Sequence, residues 1–168
     1  MKKLTQITKL LAVALTLTSA TALKADEKEV KFSDLPANIQ TAANAILKGA
    51  KVSEVEIEKE KGKVEYEIEF DKNKHEVSIK LDANGKLLET ETKIELEEAP
   101  KAVQATITKL MGLKGVLEEL EKVVVGTVTT YEVEFEIDEK ETELLIDSKG
   151  KVLKKEEKED DDDDDDDE

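Results

Sequence analysis

From Tyr66 onward the chain alternates. Tyr66, Ile68 and Phe70 are separated by Glu67 and Glu69, and Val77, Ile79 and Leu81 by Ser78 and Lys80. An apolar side chain at every second position marks a strand with one buried and one solvated face. Asn84-Gly85 lies between this run and Leu87-Leu88 and predicts a tight hairpin. The whole stretch recurs: Tyr131 to Phe135, Glu141 to Ile146 and Asp147-Ser148-Lys149-Gly150-Lys151 return at an offset of 65, from Tyr66 to Tyr131.

A different period stands ahead of each alternating stretch. Ile39, Ala42, Ala43, Ile46 and Leu47 fall on one stripe of a helix that opens at Phe32-Ser33-Asp34-Leu35-Pro36, with Ser33 or Asp34 as capping candidates, and stops at Gly49. Val103, Thr106, Ile107, Leu110 and Met111 repeat that stripe after Ala99-Pro100 at an offset of 64. One residue is therefore inserted before Tyr131, in the weakly matching stretch Gly112 to Thr130. Val116 to Val125 fits neither period and reads as a helical extension or loop to about Glu121, then a strand.

Strands over Val52 to Glu60 and Leu87 to about Ile94 complete the first unit. The expected fold is α+β: two tandem α-β-β-β-β repeats forming one antiparallel sheet, with the helices packed on one face. Val64, Tyr66, Ile68 and Phe70 should face the helix, and Glu65, Glu67 and Glu69 water. Because a unit of about 60 residues is only marginally stable alone, the repeats are expected to share one core.

The ends read differently. Lys2, Lys3 and Lys9, the apolar run Leu10 to Leu17 and the small residues Ala20-Thr21-Ala22 have the three parts of a secretory leader, cleaved after Ala22 or Ala25. The apolar run is far below the ~20 residues of a membrane span. The organisation expected is a signal peptide over 1–22, a charged spacer over 23–31, repeats over 32–93 and 94–155, and an acidic tail over 156–168. The tail holds twelve acids and one lysine; with nothing to bury, it is expected to be disordered. The mature protein belongs in the bacterial periplasm or outside the cell.

Charge narrows the partners. The net charge is −16, and −19 once three leader lysines leave. All 26 basic residues are lysine, so the side chain best suited to phosphates and base edges is absent. Neither nucleic acid nor an anionic membrane is an expected partner of the mature form. There is no cysteine, which excludes disulfides, thiolate metal sites and thiol nucleophiles.

The Leu35-Pro36 helix opening, the Tyr66 to Phe70 strand, the Asp82-Ala83-Asn84-Gly85-Lys86 hairpin and their copies at Pro100, Tyr131 and Gly150 resemble the PepSY-like family. The resemblance is to its tandem, beta-lactamase-inhibitor-like form, and spans about Phe32 to Glu157. It implies an antiparallel sheet with helices on one face, export from a bacterial cell, and binding or inhibition of peptidases or other hydrolases.

No residue is assigned a catalytic role and no cofactor is implied. His75, the only histidine, reads as an exposed hairpin residue. Asp71, Asn73, His75 and Asp82 stand at positions 1, 3, 5 and 12 of a calcium loop, but glycine is missing at position 6 and glutamate at position 12. Two acidic features remain. Glu65, Glu67 and Glu69, with Glu132, Glu134 and Glu136, form candidate partner-binding residues on the outer sheet face. Asp160, Asp161, Asp162, Asp163, Asp164, Asp165, Asp166 and Asp167 are weak candidates for gathering calcium. The expected function is non-enzymatic binding of an extracytoplasmic protein, such as a hydrolase, through the exposed sheet. The alternative is an acidic cation-binding or buffering protein.

Overall fold

The computed structural model describes residues 26–60 and 62–158. The strands are β1 (Asp26–Glu29), β2 (Val52–Glu60), β3 (Lys63–Lys72), β4 (His75–Asp82), β5 (Leu87–Lys93), β6 (Val116–Val125), β7 (Val128–Ile137), β8 (Lys140–Asp147) and β9 (Val152–Lys158). They form one antiparallel sheet in chain order. Helix α1 (Ala37–Leu47) precedes β2 and α2 (Lys101–Met111) precedes β6. Both lie on the face to which Ile68, Phe70, Val133 and Phe135 point. The expected leader and residues 159–168 of the expected tail lie outside the described residues.

Alternation puts the expected apolar set inside. Ile68, Phe70, Ile79 and Leu81 are fully buried with Ile39 and Ala43 of α1. Val133, Phe135 and Ile146 repeat this with Val103 and Ile107 of α2. These are two clusters, one per repeat, rather than the single shared core expected from size. The reason lies where the repeats meet. The β5–β6 ladder has four pairs, and its helix-side members, Thr90 opposite Val124 and Thr92 opposite Lys122, are not apolar enough to join the cores.

Four other expectations are corrected. Strand β6 runs unbroken from Val116, with no helical extension. Its register shifts between Leu117 and Glu119, so Leu117 and Leu120 both face the core, opposite Phe135 and Val133. That bulge breaks the period-2 signal. The same bulge between Val52 and Glu54 aligns Val52 with Leu117 and Val55 with Leu120, which places the inserted residue in the connection after Met111. The charged spacer contains β1, paired Asp26 to Lys59 through Glu29 to Glu56. Main-chain pairing at a sheet edge needs no apolar side chains, and charge there discourages further pairing. For the same reason β9 extends to Lys158, three residues into the expected tail. Finally, neither Ser33 nor Asp34 caps α1; they form a 3-10 turn with Phe32, and Pro36 precedes the helix. Gln40 Nε2 instead donates to the carbonyls of Ser33 and Leu35, as Gln104 does to those of Glu97 and Ala99.

The hairpins orient the strands. Asn73 and Lys74 have φ of +53° and +73°, the twist-matched two-residue turn between β3 and β4. The Asn84-Gly85 turn is a three-residue loop: Gly85 donates to the Asp82 carbonyl, and Asp82 to that of Lys86. Gly85 has φ of +83°, and a Cβ there would lie 3.1 Å from Ala42 Cβ, so the turn packs against α1.

Candidate functional site

The face opposite the helices carries the alternate residues of each strand, which the expected pattern assigned to water. It is only partly wet. Glu67 is 2% exposed, Lys80 6%, Glu89 5% and Glu91 7%. Of the expected partner-binding residues, Glu65, Glu69, Glu132 and Glu134 are half-buried and Glu136 is exposed. Glu67 is thus a correction: side chains of neighbouring strands close over it, although neither helix packs on this face.

Pairing across the strands explains how a buried carboxylate is held. Glu67 on β3 lies opposite Lys80 on β4, and Lys80 opposite Glu89 on β5. Lys80 Nζ lies 3.7 Å from Glu58 Oε2, 3.7 Å from Glu67 Oε2 and 3.9 Å from Glu89 Oε1. Ser78 Oγ donates to Glu67 Oε1 at 2.7 Å. Burial opposes the lysine charge, yet Glu67, Glu58, Glu89 and Glu91 outweigh it and raise the ammonium pKa above its usual value.

Further along, the balance reverses. Burial, then the hydrogen bond with Glu89 and the charge of Glu67, push Glu91 to about 8. Burial, then the charges of Glu91 and Glu121, push Glu132 to about 8 as well. Burial also raises Glu89. Two carboxyl groups share a hydrogen bond only when one keeps a proton, and Glu91 is the holder that these shifts favour.

The repeats differ at this cluster, where Glu58, Lys80 and Glu89 of the first are Val123, Leu145 and Lys154 in the second. Glu132 and Leu145 pair in the second repeat as Glu67 and Lys80 do in the first. Beside Glu132 lies a cavity of about 170 Å³ that spans both repeats. Glu69, Glu76, Ser78 and Lys93 line it from the first, and Glu119, Glu121, Glu132, Glu134 and Glu143 from the second. Lys93 Nζ, the lysine of this lining, is 2.9 Å from Glu119 Oε1. Two carboxylate triads have oxygens within 4.8 Å of one another: Glu56, Glu58 and Glu67, and Glu134, Glu141 and Glu143. The first already faces the Lys80 ammonium.

Glu89, Glu91, Glu119, Glu121 and Glu143 were not among the residues expected to form the site, and neither was Lys80. They come from strands whose register the pattern alone does not supply. His75 is not simply exposed: Nδ1 lies 3.0 Å from the Lys93 carbonyl and Nε2 3.3 Å from Glu98 Oε1, clamping the connection between repeats. The calcium-loop spacing has no geometry to match, because Asp82 ends a strand that begins at His75. Eight extended residues span about 25 Å, too far to close one ion site. The aspartates 160–167 lie outside the described residues.

The family model described as "Putative beta-lactamase-inhibitor-like, PepSY-like" matches residues 21–89 and 88–154, two successive segments covering most of the sequence. The chain belongs to the PepSY-like family. Among solved structures, this PepSY-like chain is similar to a DUF2874 family protein from Bacteroides uniformis, with a TM-score of 0.63, 16% identity, and 73% of this chain and 89% of that one covered. A "putative periplasmic" protein from Bacteroides eggerthii gives a TM-score of 0.63 at 17% identity, over 73% and 88% of the chains. A BLIP-like protein from Bacteroides fragilis gives 0.57 at 19%, over 74% and 89%. At these identities the likeness is one of fold. No curated protein matches the sequence. Among the described residues no helix of this PepSY-like fold is long and apolar enough to cross a membrane.

Proposed function

We propose that this is an exported, non-enzymatic binding protein whose carboxylate face receives a lysine-bearing segment of an extracytoplasmic protein, a hydrolase being the class suggested by the family description. One observation carries the reading. In the first repeat Lys80 places an ammonium among three carboxylates, whereas in the second its position is held by Leu145, and the Glu132 opposite it lines a cavity rich in carboxylates. An incoming ammonium would be received by Glu132, the counterpart of Glu67, and by the carboxylates that line the cavity with it. Of the five aromatic residues, Tyr66, Phe70, Tyr131 and Phe135 are buried in the cores and Phe32 packs against the first of them, so recognition would be polar and salt-sensitive. Export is supported by the leader-like first 22 residues and by the "periplasmic" name of one fold relative.

Calorimetric titration with an oligolysine peptide tests this, comparing the full chain with a form ending at Lys158. The reading predicts that binding survives the truncation and weakens in high salt. Binding that disappears with residues 159–168 would assign it to the acidic tail instead.

A second reading is favoured by the Glu134, Glu141 and Glu143 triad, whose spacing suits a hard cation ligated at 2.3–2.6 Å. Calcium would then be the ligand of the sheet face, with the acidic tail adding weak capacity. Titration of calcium into wild type and Glu134→Gln decides it: equal heats in both would remove this reading.

A further inference from the structure

The repeats meet at β5 and β6, where four residue pairs hold two separate cores in one sheet. Of the eight residues in that ladder, only Glu91 and Val123 are buried, and they lie opposite each other. One more backbone bond, from Ile94 N to Leu120 O, closes the end of the seam. On the helix side the seam carries Thr90, Thr92, Val124 and Lys122 and joins no apolar core, so what is buried at it is a carboxyl group and Val123 on the opposite face. Diagonally across the seam, opposite Glu121, stands Glu132, whose carboxyl interacts with that of Glu91. The groups facing this pair are Glu67 on β3, Lys80 on β4, Glu89 on β5, Glu121 on β6 and Glu143 on β8. Of these, only Lys80 is a cation, and it is already shared by Glu58, Glu67 and Glu89; a second lysine, Lys93, two residues along β5 from Glu91 and in the cavity with Glu132, is held by Glu119 at 2.9 Å.

We propose that the seam between the repeats is a proton-operated joint, closed while Glu91 and Glu132 carry protons and opened when they ionise. Nothing but side-chain ionisation is required, and no ligand takes part. The shifts of both carboxyls to about 8 agree with the geometry. Opening exposes both groups to water, where they titrate as ordinary glutamates, so the open form gains on the closed one as pH rises between those limits. The cores themselves, made of aliphatic and aromatic side chains, need not come apart. Around neutral pH the joint is thus poised to loosen, which would let the two halves of the carboxylate face move relative to each other.

Amide exchange followed by NMR on the full chain tests this from about pH 5.5 to 8.5. After correction for intrinsic exchange, amides of Thr90–Ile94 and Glu121–Val124 should be less protected than those of β3 and β7 at every pH. Their protection should fall by about tenfold per pH unit for each ionising group, levelling near pH 8. In a Glu91→Gln, Glu132→Gln variant, which cannot ionise there, the fall should vanish. Seam amides as protected as core amides, or an equal fall in wild type and variant, would overturn the proposal. Should that variant fail to fold, carboxyl carbon titration of wild type decides: midpoints near 8 support the joint, and midpoints in the ordinary carboxylate range overturn it.

Discussion

Lys80 and Leu145 occupy the same place in the two repeats, the first opposite Glu67 and the second opposite Glu132. In one copy a buried cation stands between two acids, while in the other an aliphatic side chain stands between Glu132 and Lys154. Lys80→Ala should therefore cost about 3 kcal/mol at pH 8, because it leaves Glu58, Glu67 and Glu89 buried together without their ammonium. At pH 5 these carboxyls can take up protons and the cost should shrink. Chemical denaturation at the two pH values checks both statements.

Leu145→Lys reverses the experiment. Leu145 is 9% exposed and lies opposite Glu132, so a lysine there can supply from within the charge that the proposed partner would bring. Oligolysine binding should weaken about tenfold or more, the effect of losing roughly 1.4 kcal/mol of interaction. Unchanged affinity in the folded variant would show that the cavity beside Glu132 is not where the ammonium goes.

The pH dependence has a definite sign. Glu91 is raised in the folded chain to about 8 from the ordinary 4.5, so between those values the folded state keeps a proton that the unfolded state has lost. Its contribution is fully present below about pH 4.5 and is lost as pH rises toward 8. Glu132 behaves likewise. The denaturation midpoint of wild type should fall from pH 5 to 8, and Glu91→Gln should be near neutral at pH 5 and stabilising by about 1 to 3 kcal/mol at pH 8.

Much of the fold was legible in the sequence because each local rule agreed with its neighbours. Ile39, Ala43 and Leu47 fall on a helical stripe and are all buried, and Ile68 and Phe70 alternate with glutamates and fill the core. The rule failed at Leu117, where a bulge adds a residue and resets the alternation. It failed again at β1 and the end of β9, where pairing is made by the main chain. The candidate site was half legible. Glu67, Glu69, Glu132 and Glu134 were found by alternation, but Lys80, Glu91 and Glu143 act through cross-strand neighbours. Depth on the open face depends on what adjacent strands carry, which period 2 does not encode.

Glycine at the second hairpin offers a test of how turns fasten the helices. Gly150 has φ of +82°, and a Cβ there would lie 2.5 Å from the Ala102 carbonyl oxygen in α2. Thr106 Oγ1 donates to the Gly150 carbonyl at 2.6 Å. Gly126 also has positive φ, +60°, but open space around it. Gly126→Ala should therefore cost only about 1 kcal/mol of left-handed backbone strain, and Gly150→Ala about 2 to 4 kcal/mol, since helix or turn must also shift. Equal losses in thermal unfolding would mean that the turn does not bear on α2.

The claim that the carboxylate face is the binding surface is tested most directly by mapping a lysine peptide onto the protein by NMR. At low salt, resonances of Glu69, Ser78, Glu121, Glu132 and Glu143, which line the cavity, should shift progressively, while the helix residues Gln40 and Gln104 stay in place. High salt should abolish the shifts. Shifts confined to the helix side or to residues 159–168, or none at low salt, would contradict the account.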